Sequence, residues 1–299
     1  MKVGLLCSDD WANFQYSIQK SLEAIGVDCV SYKLQRHLFS YDNQCDVITV
    51  PRISEAYSDC DVILLCHSDW EFIQYLPEKS IKINFATGTK YRQSYEFINS
   101  KFSAPITLIA LPEFQTLAPN PKYLVGAVES DWAVKDVVGR RIRVGHFPSN
   151  PDVKGTEDIV RILRNAENCE FIYSTERVSH AENLKRIYDC DIYVEMLAST
   201  QGGKPYGSFG ITGLEAAAMG KIVITQAIND NGLYNDAYGV NMLNFVKDEL
   251  GLKKTLSSLL QYKGDYLTGQ MESTKEWMEK NHSYKATGLK LMSYINGSI

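Results

Sequence analysis

The feature that most restricts this 299-residue chain is an alternation of short apolar runs with helix-spaced segments, which lapses once and then restarts. Residues 2–7, Lys-Val-Gly-Leu-Leu-Cys, suit a strand buried on both faces. Phe14, Ile18, Leu22 and Ile25 follow at helical spacing, and Gly26 stands where a helix would close. Residues 27–32, 61–66 and 81–85 read as further strands. No hairpin turn separates these strands, so right-handed crossovers in a parallel sheet are expected. The alternation lapses between positions 125 and 139. It restarts with strands at 141–145, 170–173, 191–194 and 221–225, and helices at 155–166, 181–188 and 213–219. Two such runs predict an α/β chain of two Rossmann-like domains, 1–138 and 139–280. Tyr284, Gly288, Leu291 and Ile295 share one face of a further helix within 281–299.

Charge and cysteine usage narrow the class. A net charge of −5 disfavours broad, charge-driven binding to nucleic acid or anionic lipid. Arg140-Arg141-x-Arg143 is the one tight basic cluster, and it reads first as a solvated strand start. Seven cysteines are dispersed without paired spacing, and the N-terminus runs straight into a strand without a signal-peptide pattern. Free thiols in the cytoplasm are expected. Neither Cys-x2-Cys nor His-x3-His spacing occurs, so no metal site is expected. No apolar run reaches the roughly 18 residues of a membrane-spanning helix.

Ligands of open parallel sheets bind beyond the carboxyl ends of the strands, where helix N-termini gather. The richest such stretch is 202–215, Gly-Gly-Lys-Pro-Tyr-Gly-Ser-Phe-Gly-Ile-Thr-Gly-Leu-Glu. Its candidate binding residues are Tyr206, Gly207, Ser208, Phe209, Gly210, Ile211, Thr212 and Glu215. Glycines let backbone N–H groups approach an anion, and the following helix adds its own free N–H groups and dipole. Glu215, expected in the first helical turn, either accepts hydrogen bonds from a ribose diol or caps the helix. The spacing matches neither a P-loop nor the Gly-x-Gly-x-x-Gly fingerprint.

Residues 209–224, Phe-Gly-x-x-x-Leu-Glu-Ala-x-Ala-x-Gly-Lys-x-Val-Ile, resemble the donor-binding signature of the retaining GT-B glycosyltransferases. The chain is identified by them as a divergent member of glycosyltransferase family 4, the glycosyl transferases group 1. In that family two glutamates stand eight positions apart. Glu215 matches the second, which holds the nucleotide ribose, whereas Gly207 stands where the sugar-contacting first would be. Residues 144–156 are similar to the family's strand, loop and Lys-Gly at the start of the second domain. The resemblance implies that Lys154 neutralises the donor diphosphate. Lys154 and His146, which occupies the neighbourhood of the family's arginine, are then the catalytic candidates, with Ser149 and Asn150 as neutral donors and backbone near Arg177 and Val178 flanking the base. His180 reads as a helix-start polar residue.

In the first domain, residues 84–92 are similar to the family's strand-His-Gly-Ser/Thr-x-x-Arg loop, with Thr87 in place of the histidine. Gly88, Thr89 and Arg92 are then cleft residues. Asp9, Asp10 and Trp11 follow the first strand and His67 another. They read as acceptor-side groups, with an Asp-rich helix cap as the alternative for the aspartates.

What the resemblance implies is a GT-B fold: two Rossmann-like domains with parallel sheets facing across a cleft, and a tail, 281–299, crossing back to the first. The implied activity is a hexosyl or pentosyl transfer from a UDP- or GDP-sugar, with retention, to a carbohydrate, lipid-linked or other hydroxyl acceptor. The nucleotide sugar is a co-substrate, and no cofactor or metal is implied. Three alternatives stay open: a nucleotide-sugar epimerase or hydrolase of the same fold, a non-catalytic nucleotide-sugar-binding protein, and a modified DNA base as acceptor.

Overall fold

In the computed structural model, residues 1–201, 203–206, 210–227, 232–239, 242–262 and 264–297 are described. The chain forms two compact units, Met1–Ala127 with His282–Ile299, and Val128–Asn281. The first unit is built on β1 (Val3–Asp9), β2 (Cys29–Gln35), β3 (Asp46–Val47), β4 (Val62–Cys66), β5 (Ile81–Ala86), β6 (Thr107–Ile109) and β7 (Pro121–Tyr123). They form a parallel sheet in the order β3-β2-β1-β4-β5-β6-β7. Its helices are α1 (Phe14–Glu23), the single turn α2 (Ile53–Ala56) and α3 (Gly88–Asn99).

The unbroken apolar runs of β1 and β4 follow from cover on both faces. Val3, Leu5 and Cys7 pack in one core cluster with Phe14, Ile18 and Leu22 of α1, while Leu6 packs in another with Ile53, Tyr57 and Phe72. Strands β6 and β7 carry no sequence signal of their own. Each has three residues, too few to show a period, and Pro105, Pro112 and Pro121 punctuate the stretch.

The second unit contains β8 (Ile142–His146), α4 (Pro151–Lys154), α5 (Thr156–Arg164), β9 (Cys169–Tyr173), α6 (His180–Tyr188) and β10 (Ile192–Val194). A two-stranded ribbon, β11 (Thr200–Gln201) with β12 (Lys204–Pro205), precedes α7 (Ile211–Ala218) and β13 (Ile222–Gln226). Then come α8 (Gly232–Tyr238), β14 (Asn244–Val246), α9 (Glu249–Gln261) and α10 (Gly264–His282). The main sheet is parallel, in the order β14-β13-β10-β8-β9. Val144, Ile192, Val194, Ile222 and Ile224 face helices through Ile159, Leu163, Leu252 and Met271.

The units divide at Ala127/Val128, eleven residues before the expected 138/139 boundary. The segment between has no regular structure, but Val134 and Val137 pack in the second unit's core and Lys275 Nζ donates to the Ser130 carbonyl at 2.7 Å. The last helix, α11 (Tyr284–Asn296), belongs to the first unit. Leu291 and Ile295 join the cluster of α1, and a Cβ on Gly288 would stand 2.1 Å from the Ser21 carbonyl oxygen. The absent side chain sets that close helix–helix approach. Among the described residues, no helix is long and apolar enough to cross a membrane.

Each sheet reverses its direction of growth beside its first strand. The chain runs from β1 outward through β2 to β3, and β4 then pairs with the other side of β1. Likewise β9 lies on one side of β8 and β10 on the other. Such a reversal leaves a crevice at the carboxyl ends of the two strands that flank it.

Candidate functional site

In the second unit the crevice lies where β8 ends at His146 and β10 at Val194, with Glu195 next in sequence. The single turn α4 closes on Gly155, whose φ of 65° is left-handed. A Cβ there would stand 1.9 Å from the Leu197 carbonyl oxygen, so a side chain is excluded by both conformation and space. The Leu197 N–H donates to the Lys154 carbonyl at 2.9 Å, which pins the turn against the chain leaving β10.

This fixes Lys154 beside Glu195. The Lys154 ammonium forms an ion pair with Glu195 Oε1. The same oxygen accepts the backbone N–H of Gly210, the N-cap of α7, at 3.1 Å. A Cβ on Gly210 would lie 2.8 Å from Glu195 Oε1 and 3.1 Å from Lys154 Nζ, so the glycine admits the pair. Glu195 is 1% exposed. Its second oxygen, Oε2, is buried and has no hydrogen-bond partner among the described residues. Burial works against the Lys154 charge, but the Glu195 carboxylate outweighs it and holds the lysine above its ordinary pKa. A cation and a helix N-terminal amide therefore converge on one carboxylate oxygen, the arrangement by which proteins hold an anion.

His146 lies behind this pair rather than in it. It is fully buried, with Nδ1 2.7 Å from the Val194 carbonyl oxygen and Nε2 3.0 Å from Thr156 Oγ1. Burial pushes its pKa down to about 4, so the ring is neutral at pH 7. A neutral ring that donates from Nδ1 to the carbonyl accepts the Thr156 hydroxyl at Nε2. Both nitrogens are thereby engaged inside the protein. The expectation of a directly acting His146 is corrected to a brace joining β8, β10 and the start of α5.

A second polar pair sits nearby on α6 and α7. Ser179 caps α6, its Oγ accepting the Glu182 N–H at 3.2 Å, and this sets His180 at the helix start. His180 Nε2 lies 2.6 Å from Glu215 Oε1. Glu215 is the fifth residue of α7, not in its first turn as expected, so it does not cap the helix. Of the other expected donor residues, Ser149, Asn150 and Arg177 are exposed, and Val178 is half-buried. Tyr206 is half-buried and its N–H donates to the Ser199 carbonyl at 2.9 Å. Ile211 and Thr212 open α7. Gly207, Ser208 and Phe209 lie outside the described residues.

The first unit's crevice gathers Asp10, His67 and Thr87. Asp10 is fully buried, and its carboxylate accepts the N–H groups of Gln15 at 2.6 Å and Tyr16 at 3.0 Å. The helix-cap reading therefore describes Asp10. His67 and Ser68 have φ of 57° and 59°, a left-handed pair that non-glycine residues rarely adopt and that costs backbone strain. His67 Nδ1 lies 2.5 Å from Thr87 Oγ1 and Nε2 3.5 Å from Asp10 Oδ1. Asp9 is half-buried beside them, and Trp11 is 54% exposed with its ring edge against His37. Asp69 holds Ser8 N and Oγ at 2.6 and 2.7 Å and Lys90 Nζ at 2.7 Å.

Gly88 and Thr89 open α3, with Thr89 exposed. Arg92, expected in a cleft, is an interior residue instead. It is buried, its Nη2 donates to Glu113 Oε1 at 2.5 Å, and its guanidinium lies over the Phe114 ring. Burial raises the Glu113 pKa against the opposing pull of Arg92. The sequence reading missed this pairing because the carboxylate lies 21 residues away.

Cys7, Asp10 and His67 bring ligand atoms within 4.8 Å of one another. Two amides already occupy the Asp10 carboxylate, and burial raises the Cys7 pKa well above the ordinary thiol range. Two arginines of the tight basic cluster are tied into structural pairs: Arg140 binds both oxygens of buried Asp191 at 2.7 and 2.5 Å, and Arg143 Nε lies 3.0 Å from Glu170.

Glu195 is the residue that sequence reasoning overlooked. Its one signal is a carboxylate placed directly after the apolar strand at 191–194, at the carboxyl edge of a parallel sheet.

No family model and no curated protein matches the chain. Solved structures do share its fold, which is that of the GT-B glycosyltransferases. Anabaena HepE in complex with UDP-glucose aligns with a TM-score of 0.70 over 99% of this chain and 100% of that chain, at 11% identity. A glycosyltransferase from Rickettsia africae aligns with 0.62 over 99% and 98%, also at 11% identity. Sucrose-phosphate synthase from Thermosynechococcus elongatus aligns with 0.59 over 99% and 98%, at 10% identity.

Proposed function

We propose that this chain is a divergent family 4 glycosyltransferase, a hexosyl- or pentosyltransferase that moves a sugar from a nucleotide sugar to a hydroxyl acceptor. The observation that carries this reading is the convergence of Lys154 Nζ and the Gly210 N–H on one oxygen at the crevice of the second sheet. When the glycosidic bond to a nucleoside diphosphate breaks, negative charge develops on the leaving phosphate oxygen. A fixed cation beside a helix N-terminus stabilises that charge without reorganising, which is electrostatic catalysis by preorganised groups. An ammonium carries three N–H donors. Glu195 takes one and orients the group, and the others serve the diphosphate.

Glu215, held by His180, accepts hydrogen bonds from the ribose hydroxyls. The leaving charge is met by Lys154 and the α7 amides, so the reaction runs without a metal and, as in the family the sequence resembles, with retention of configuration. UDP- or GDP-sugars are the donors, and HepE, which shares the fold, binds UDP-glucose. The acceptor, a carbohydrate or lipid-linked hydroxyl, uses the polar strand ends of the first unit, where Asp9, Trp11 and the strained His67 lie. Seven free cysteines, six of them buried, suit a reducing cytoplasm.

The test is Lys154→Ala assayed for sugar transfer from the donor that the wild-type chain uses. Turnover falls by about 100-fold or more, the size of effect seen when one transition-state donor is removed. Unchanged turnover would remove Lys154, and with it this reading of the site.

A further inference from the structure

We propose that Glu195 is the sugar-recognising carboxylate of this site, with Oε2 accepting a hydrogen bond from a hydroxyl of the donor sugar while Oε1 stays with Lys154. The inference rests on the nucleotide-sugar reading above and assigns a residue to the sugar half of the ligand.

A carboxylate offers about four acceptor positions across its two oxygens. In Glu195 they are used unevenly. Oε1 is shared by the Lys154 ammonium and the Gly210 N–H, whereas Oε2 is buried without a partner among the described residues. A buried acceptor left unmatched costs free energy, more so when the group is charged, so such atoms are rare unless something else completes them. The partner that completes Oε2 must be a hydrogen-bond donor. It must also tolerate a neighbouring negative charge, which excludes a phosphate oxygen and fits a neutral hydroxyl.

Position points the same way. Glu195 follows β10 at the reversal of the second sheet, next to the lysine and helix start assigned to the diphosphate. A sugar linked to that diphosphate brings its hydroxyls to the same neighbourhood. The titratable groups facing Glu195 are Lys154, the neutral His146 and the buried Tyr193 phenol, which bonds to the Phe147 backbone. None of the three supplies a donor to Oε2.

Glu195 could instead be only an internal counter-ion for Lys154, and the two roles differ in a measurable ratio. Calorimetry compares a nucleoside diphosphate with its sugar conjugate, UDP against UDP-glucose and GDP against GDP-mannose, using the pair that the wild type binds more tightly. In Glu195→Ala, affinity for the conjugate falls relative to the free nucleotide by roughly tenfold, the loss of one hydrogen bond to a charged group. Glu195→Gln keeps the side-chain volume, and it lowers the same ratio by a smaller factor should the alanine variant fail to fold. A ratio unchanged in the folded variants, with both ligands shifted by the same factor, assigns Glu195 to Lys154 alone and overturns the inference. Binding of neither pair by the wild-type chain would overturn the nucleotide-sugar reading itself, and the inference with it.

Discussion

In the first unit, Asp10 follows β1 and gives its two carboxylate oxygens to amides five and six residues further on, at the start of α1. In the second unit, Glu195 follows β10, and its partners come from a turn 41 residues earlier and a helix start 15 residues later. Both carboxylates are buried at the reversal of a parallel sheet. Asp10 is saturated by its own local backbone, so it closes the helix end against an outside anion. Among the described residues Glu195 leaves one oxygen unmatched, and it holds the cation that we propose a ligand also uses. One strand-end carboxylate, after the first strand of its sheet, is thus a helix cap, and the other, after the strand across the reversal, keeps an acceptor oxygen for the ligand we propose. The difference arises from whether the carboxylate's partners are near or far in sequence.

The sharpest way to break this comparison is through Lys154. Its replacement by alanine costs about 100-fold or more in transfer, whereas a first-unit carboxylate change should leave donor affinity intact. A second contrast lies in the acid range. His146 is neutral in the fold with a pKa near 4, against 6.5 when exposed. Above pH 6.5 neither the folded nor the unfolded chain binds this proton. Between 6.5 and 4 only the unfolded chain does, so stability falls as pH falls, by about 3 kcal/mol over the window. Denaturation midpoints of the second unit from pH 7 to 4.5 should show this slope, and His146→Gln should remove it. A slope that survives the substitution would mean that His146 is not the buried neutral brace described.

A smaller effect is expected at Asp10. Asp10→Asn turns one acceptor oxygen into a donor facing a backbone N–H, and it costs the first unit about 2 kcal/mol. Nucleotide affinity should be unchanged. A matching loss of affinity would erase the distinction between cap and receptor.

These contrasts follow residues that differ in how visible they are in the sequence. The buried strands β1, β4, β8 and β13, and the helices α1 and α11, are legible because apolar runs and one-faced spacing reflect cover by neighbouring layers. Lys154 and Glu215 are legible through the motifs that carry them. Short β6 and β7 are not, since three residues cannot display a period and prolines interrupt the stretch. Glu195 is invisible for another reason. A glutamate after a strand is an ordinary residue, and its meaning comes from β10 lying beside β8, which brings it to Lys154. Arg92 shows the converse: its spacing matched a loop motif, but Glu113 and Phe114 draw it into the interior. The tail helix falls to the first domain by resemblance alone, and its close approach to α1 at Gly288 is visible only in the structure.

Amide hydrogen exchange with and without a saturating nucleotide sugar tests most directly where the donor is held. Protection should concentrate at residues 150–156, 178–182, 195–197 and 210–215 of the second unit, and Lys154→Ala should abolish it. Protection confined instead to residues 9–16 and 67–70 of the first unit, unaffected by Lys154→Ala, would contradict the assignment of the donor site.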